Sequence, residues 1–132
     1  MKIENIKFKA KRLDNGEWVK GDLAHSLDGG LNIFGFTREN GVDYYSGVHL
    51  INPTTVCQFT GEKDMNGKDI YIGDIVSNLE TGSVIEVTWN DRLKRLGCKF
   101  LNADKGLEAP FGRFLLLYKK IVVLRSKFDK EK

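Results

Sequence analysis

The stretch Thr60 to Val76, TGEKDMNGKDIYIGDIV, crowds carboxylates, lysines and a Gly-Asp pair into seventeen residues. Asp64, Asn66 and Asp69 fall in a D-x-N-G-x-D string that superficially resembles a calcium loop. Such a loop takes ligands at positions 1, 3 and 5, glycine at 6 and glutamate at 12. Here Gly67 follows directly on Asn66, and position 12 from Asp64 is Ile75, so the spacing fails. Asp22, Asp64, Asp69 and Asp74 would meet at a cation only if the fold brought them together. Each instead sits beside a turn, where a short acidic side chain accepts hydrogen bonds from nearby backbone N–H groups. Asp64, Asn66, Gly67, Asp69, Gly73 and Asp74 are therefore expected to build a turn, with no metal and no cofactor.

Other reactive groups are scattered. His25 and His49 lie in separate turn-rich segments, with no second histidine, cysteine or carboxylate at metal-ligand spacing. Cys57 and Cys98 are far apart and form no C-x-x-C pair, so both are expected to pack as small apolar side chains in a reducing compartment. No G-x-x-x-x-G-K-[ST], G-x-G-x-x-G or G-x-S-x-G occurs. An enzyme needs a nucleophile, acid or base held beside partners in a cleft, and no such set is legible. The remaining chemistry is phosphate contact with base stacking. Lys7, Lys9, Lys11, Arg12, Arg92, Lys94, Arg95, Lys119, Lys120 and Arg125 would supply charge, and Trp18, Tyr44, Tyr45 and Tyr118 stacking surface.

The elements that must carry these residues are mainly strands. Ile6, Phe8 and Ala10 alternate with Lys7, Lys9 and Lys11, giving one apolar and one lysine face. Asn15-Gly16, Asn40-Gly41 and Asn66-Gly67 mark tight turns, because both residue types tolerate positive φ. Gly29-Gly30 marks another. Strands are expected at 17–23, 22–27, 31–36, 42–50, 55–59 and 70–76, then at 83–89, 98–101, 114–118 and 120–125, with 90–96 a polar loop. Phe114, Leu117, Ile121, Leu124 and Phe128 also fit helical spacing, which leaves a short C-terminal helix open. The three Asn-Gly pairs sit 25 and 26 residues apart, each followed by Gly21, Gly47 or Gly73. Duplicated hairpins would produce that spacing, and so would hairpin chemistry alone, which is the preferred reading. The expected fold is mainly β. N-terminal β-hairpins over residues 1–54 lead into a small SH3-like barrel over 55–132, whose opening would be Gly73-Asp74-Ile75-Val76.

With 132 residues, 41% hydrophobic and 30% charged, the chain can bury a core without disulfides or metal. No run of about 18 apolar residues is present, and no apolar signal core follows the N-terminus, so the expected location is cytoplasmic. The net charge of +3 is unevenly placed. Residues 1–12 carry five Lys or Arg against Glu4, and residues 119–132 carry six against Asp129 and Glu131. Residues 13–118 carry ten basic and fifteen acidic groups. Basic ends beside an acidic body suit nucleic acid, the acidic body of a second copy, or simply solvated edges protected by lysine.

Pro53 to Gly61 (PTTVCQFTG), Lys63 to Tyr71 (KDMNGKDIY) and Gly73-Asp74-Ile75-Val76 resemble the signature of the YopX family. Phe8-Lys9-Ala10-Lys11 and Trp18 to Leu23 are similar to its opening, and Val123 to Lys130 to its tail. There Arg125-Ser126 departs from a usual Gly-Asn, and Lys127 from an apolar residue. Cys57 stands where Gly is common, and Glu62 where Leu is. The resemblance implies a phage- or prophage-encoded protein of a bacterial cytoplasm and carries no catalytic residue. The expected function is a non-enzymatic interaction or assembly module whose N-terminal hairpins and aromatic-rich 34–45 segment bury excess apolar surface in a homo-oligomer. The alternatives are a nucleic-acid-binding accessory protein and, last, an enzyme. No membrane or small-molecule partner is expected.

Overall fold

The computed structural model describes residues 2–102, 108–112 and 120–129, which form two antiparallel β-sheets. The mainly β expectation holds. The chain divides into two compact units, residues 1–59 and 60–132.

The first unit is a meander of β1 (Phe8–Lys11), β2 (Trp18–His25), β3 (Leu31–Glu39) and β4 (Val42–Leu50), with the start of β5 (Cys57–Lys63) beside β1. Asn40 and Gly41 form a two-residue loop with φ of 52° and 78°, the doubly positive geometry that matches the twist of a hairpin. The Asn15-Gly16 turn differs, with only Gly16 at positive φ. The three Asn-Gly turns are thus not copies of one conformation.

Gly21, Gly35 and Gly47 lie in one cross-strand row over β2, β3 and β4. A Cβ on Gly21 would collide with the carbonyl of Phe34, and one on Gly35 with Ser46 Oγ and, at 2.8 Å, Val19 Cγ2. At Gly21 and Gly35 the row thus makes a crease with no room for a side chain, while Gly47 serves through its φ of 105°. Beside it, Ser46 opposes no residue of β3, a bulge that adds further twist. Bending brings the end of β4 back toward β1. Leu13 N donates to Leu50 O at 3.0 Å, Asn52 N to Lys11 O at 2.9 Å, and Arg12 bridges Ile51. The enclosed face buries Ala10, Val19, Ile33 and Ile51, with Phe8, Leu23, Leu31 and Val56 packed around them.

In the second unit the end of β5 leads through a turn to β6 (Asp69–Tyr71). β7 (Asp74–Asn78), β8 (Val84–Asn90), β9 (Arg95–Phe100), β10 (Glu108–Pro110) and β11 (Ile121–Ser126) follow. The sheet order is β10-β9-β8-β7-β11. β10 and β11 are its two ends, so no barrel closes among the described residues. Its core is Ile70, Val76, Ile85, Val87, Cys98, Phe111 and Ile121.

One expectation changes at the end of β8. The polar loop at 90–96 is shorter, because Asn90 still pairs with Arg95 and the turn is only residues 91–94, with Lys94 at φ 54°. The strand expected at 120–125 is present as residues 121–126, and the helical alternative does not form there. The β-branched Ile121-Val122-Val123 run sits on the pleat opposite Val76, Ser77 and Asn78. The expected strand at 114–118 lies outside the described residues.

Gly21→Ala is expected to lower stability by about 1–3 kcal/mol, the usual cost of overpacking a site that cannot yield. Urea unfolding should show this, while Gly16→Ala, whose added Cβ would meet nothing within 4 Å, should be governed by backbone strain alone.

Candidate functional site

The bent sheet of the first unit has an outer face as well as a core. Strand alternation puts Phe34 and Phe36 of β3, and Tyr45, Val48 and Leu50 of β4, opposite the buried Ile33 and Ile51. These five side chains are 40–58% exposed. Tyr45 holds the patch together, with its ring centroid 6.5 Å from Phe34 and 5.9 Å, edge-on, from Phe36. Of the aromatic residues singled out from sequence, Tyr45 joins this patch. Tyr44 faces the other side of the hairpin, opposite Thr37, and Tyr118 lies outside the described residues.

Register places Trp18 on the same outer face as Phe34, through Asp22. It is covered by lysines: Lys9 Nζ lies 4.8 Å and Lys11 Nζ 5.4 Å from its ring centroid. Lys7 sits likewise 4.4 Å over Phe59. Cation–π contact and the burial of Lys9 tie these charges to the protein's own rings, leaving less of each for a phosphate. Arg12 is also engaged. Its Nε and Nη2 donate to the two carboxylate oxygens of Asp14 at 2.9 and 2.6 Å. That hydrogen bond, reinforced by charge, raises the Arg12 pKa further and lowers that of Asp14.

The 92–95 turn is different. Arg92 and Arg95, with Thr88, Asn90 and Glu108, line a shallow depression of about 200 Å³ on the polar face of the second sheet. Gly97 forms its floor, where a Cβ would lie 3.1 Å from Thr88 Oγ1. Lys94 is in the same turn, whereas Lys120 is exposed beside β11 and its carbonyl accepts from Leu79 N at 2.8 Å. Lys119 lies outside the described residues. Arg125 donates to Ser126 O at 3.2 Å. The basic residues read from sequence are thus divided between the two units, and in the first unit they are engaged by its own rings and by Asp14.

The acidic turn is structural, as its spacing implies. Asp64 Oδ1 accepts from Asn66 N and Lys68 N, each at 2.9 Å, and Oδ2 accepts from Val123 N at 3.0 Å. One carboxylate thus shapes the Asn66-Gly67 turn and ties it to β11, 59 residues along the chain. Asp74, fully buried, accepts from Tyr71 N at 2.8 Å. Gly73 N donates to Val87 O, and Lys127 N to Gly73 O, both at 2.8 Å. Asp69 pairs with Lys63 at 3.2 Å. His49 Nε2 lies 2.9 Å from Ser46 O, and His25 ends β2 at the surface. Both cysteines are buried, and burial raises the Cys98 thiol pKa, which makes it a poor nucleophile at neutral pH.

Burial pushes the Asp64 carboxyl up, but the three backbone donors and the nearby Lys68 charge outweigh it and hold it below the ordinary carboxylate range. A lowered folded-state pKa adds stability above the unfolded value of about 3.9, lost as pH falls through the folded value. Asp64→Asn should therefore cost about 1.5–3 kcal/mol near neutral pH, the range for hydrogen bonds to a charged group. The gap from wild type should shrink below about pH 4, where the wild-type carboxyl also protonates, as paired urea titrations at the two pH values would show.

Phe34 and Phe36 fall in the aromatic-rich segment visible in the sequence, but Val48 and Leu50 were not distinguished there. Their signal is that both parities of β3 and β4 are apolar, which marks a strand with two apolar faces. Comparison with curated proteins finds no match. The family profile described as YopX protein matches residues 7–110, including the first sheet, the acidic turn and the depression, and the chain belongs to the YopX family.

Proposed function

We propose that this protein is a non-enzymatic interaction module that associates with itself through the first unit. It would be phage- or prophage-encoded and act in a bacterial cytoplasm, as the family resemblance implies. The carrying observation is the contiguous outer patch of Phe34, Phe36, Tyr45, Val48 and Leu50. A group of large apolar side chains left half in water gains free energy when covered, at roughly 25 cal/mol per Å² removed from solvent. The carboxylates of Asp64 and Asp74 are bonded to backbone N–H groups, which weighs against acid–base chemistry by these two residues.

Light scattering at micromolar concentration should return a mass that is a multiple of 15.0 kDa. A strict monomer at about 100 μM would refute the reading. Phe36→Asp should shift the particle toward monomer without loss of folded structure, because Phe36 touches solvent rather than the core.

A second reading is favoured by Arg92 and Arg95 beside the depression: this turn contacts the backbone of a nucleic acid. Residues 60–132 carry fourteen basic and eleven acidic groups, so any such attraction belongs to the second unit. Fluorescence anisotropy of labelled single- and double-stranded DNA and RNA at 50 and 200 mM salt decides it. Binding that weakens steeply with salt and is lost in Arg92→Ala/Arg95→Ala supports the contact. Flat traces at 50 mM salt remove it.

A further inference from the structure

We infer that the contact strand of this self-association is β4. Its outer edge, from Val42 to His49, pairs antiparallel with the same edge of a second copy and joins two sheets across a two-fold axis. This inference rests on the self-association reading and names its geometry.

A strand at the end of a sheet presents unpaired N–H and C=O groups, and proteins usually blunt such edges by shortness, lysine, proline or bulges. The other sheet ends follow that practice. β6 and β10 have three residues each, β10 ends in Pro110, and β11 carries Arg125 at a register shift. β4 does not: it is nine residues long, VDYYSGVHL, without Lys, Arg or Pro. It does carry one acidic residue, Asp43, and one bulge, at Ser46, whose carbonyl lies 2.9 Å from His49 Nε2, but neither shortens it. Only the far end is closed, where Leu13 N donates to Leu50 O. Among the described residues no strand pairs with the outer side of Val42–His49. The strand is also exposed on both faces. Val42 and Tyr44 are half-exposed on one side, Tyr45 and Val48 on the other.

A second copy is the occupant that fits the charge. Residues 1–59 carry seven Lys or Arg and seven Asp or Glu, so this unit offers no net field to a nucleic acid or a strongly charged peptide. The chain's net charge of +3 lies in residues 60–132, so the two first units meet without net repulsion of their own. Antiparallel pairing of identical strands about a two-fold is self-complementary in its backbone donors and acceptors.

The test is hydrogen–deuterium exchange of the full chain at about 1 and 100 μM, with light scattering at the same concentrations. Backbone amides of residues 42–49 should gain protection selectively at the higher concentration, as the mass rises. Tyr44→Lys, on the face away from Phe34, should weaken association at least tenfold, while Phe34→Asp should weaken it less. A wild-type monomer at 100 μM overturns the self-association reading itself. An oligomer in which residues 42–49 exchange equally at both concentrations, or in which only Phe34→Asp dissociates the copies, overturns edge pairing and leaves face stacking. The wild-type exchange experiment decides the matter even if either variant fails to fold.

Discussion

The first unit depends on three residues that have no side chains. Gly21, Gly35 and Gly47 stand in register across β2, β3 and β4; at Gly21 and Gly35 the space a Cβ would need is filled by a carbonyl, a hydroxyl and the Val19 methyl, and Gly47 holds a φ of 105°. A flat five-stranded sheet with one apolar face would have nothing within its own unit to pack against. The crease lets the sheet fold over itself, so that Ala10, Val19, Ile33 and Ile51 bury one another. The same bend presents the opposite face, with Phe34, Phe36 and Tyr45, to solvent. Core and surface patch are two consequences of one deformation.

The second unit adds to its apolar core a set of short polar side chains that satisfy backbone donors. Asp64 satisfies three backbone donors at once, two in its own turn and one on β11. Asp74 does the same for Tyr71 N at the start of β7. Buried N–H groups without partners would each cost on the order of 1–3 kcal/mol, so each carboxylate stabilises more than the turn in which it sits. This explains why the densest acidic stretch of the chain is structural. Both oxygens of Asp64 and one of Asp74 are taken by backbone N–H groups, and the geometry that occupies them is the geometry of the fold.

Charge follows the same division. Lys7 lies over Phe59, Lys9 and Lys11 of β1 lie over Trp18, and Arg12 is held by Asp14, so much of the basic N-terminus serves local packing. The excess of positive charge falls in residues 60–132. An apolar, neutral surface and a polar, mildly basic one therefore belong to separate units, which is why one contact reading attaches to each.

Period-two alternation, the Asn-Gly pairs and the Gly-Asp dipeptides were enough to place most strands and turns, because hairpin geometry is dictated by neighbours in the chain. The role of Asp64 in its own turn was legible for the same reason. Its bond to Val123 was not, since no local rule couples residues 59 apart. Strand character at 121–126 was ambiguous from spacing and settled by the ladder with β7, a long-range pairing. The glycines at 21 and 47 were visible as a spacing, but their alignment through Gly35 depends on the registers of two hairpins together. Local conformation is fixed by short-range sterics, and these the sequence displays. Which apolar face is covered, and which basic groups are engaged by the protein's own rings, follows from how distant strands register and bend, and that appears only when the chain is folded.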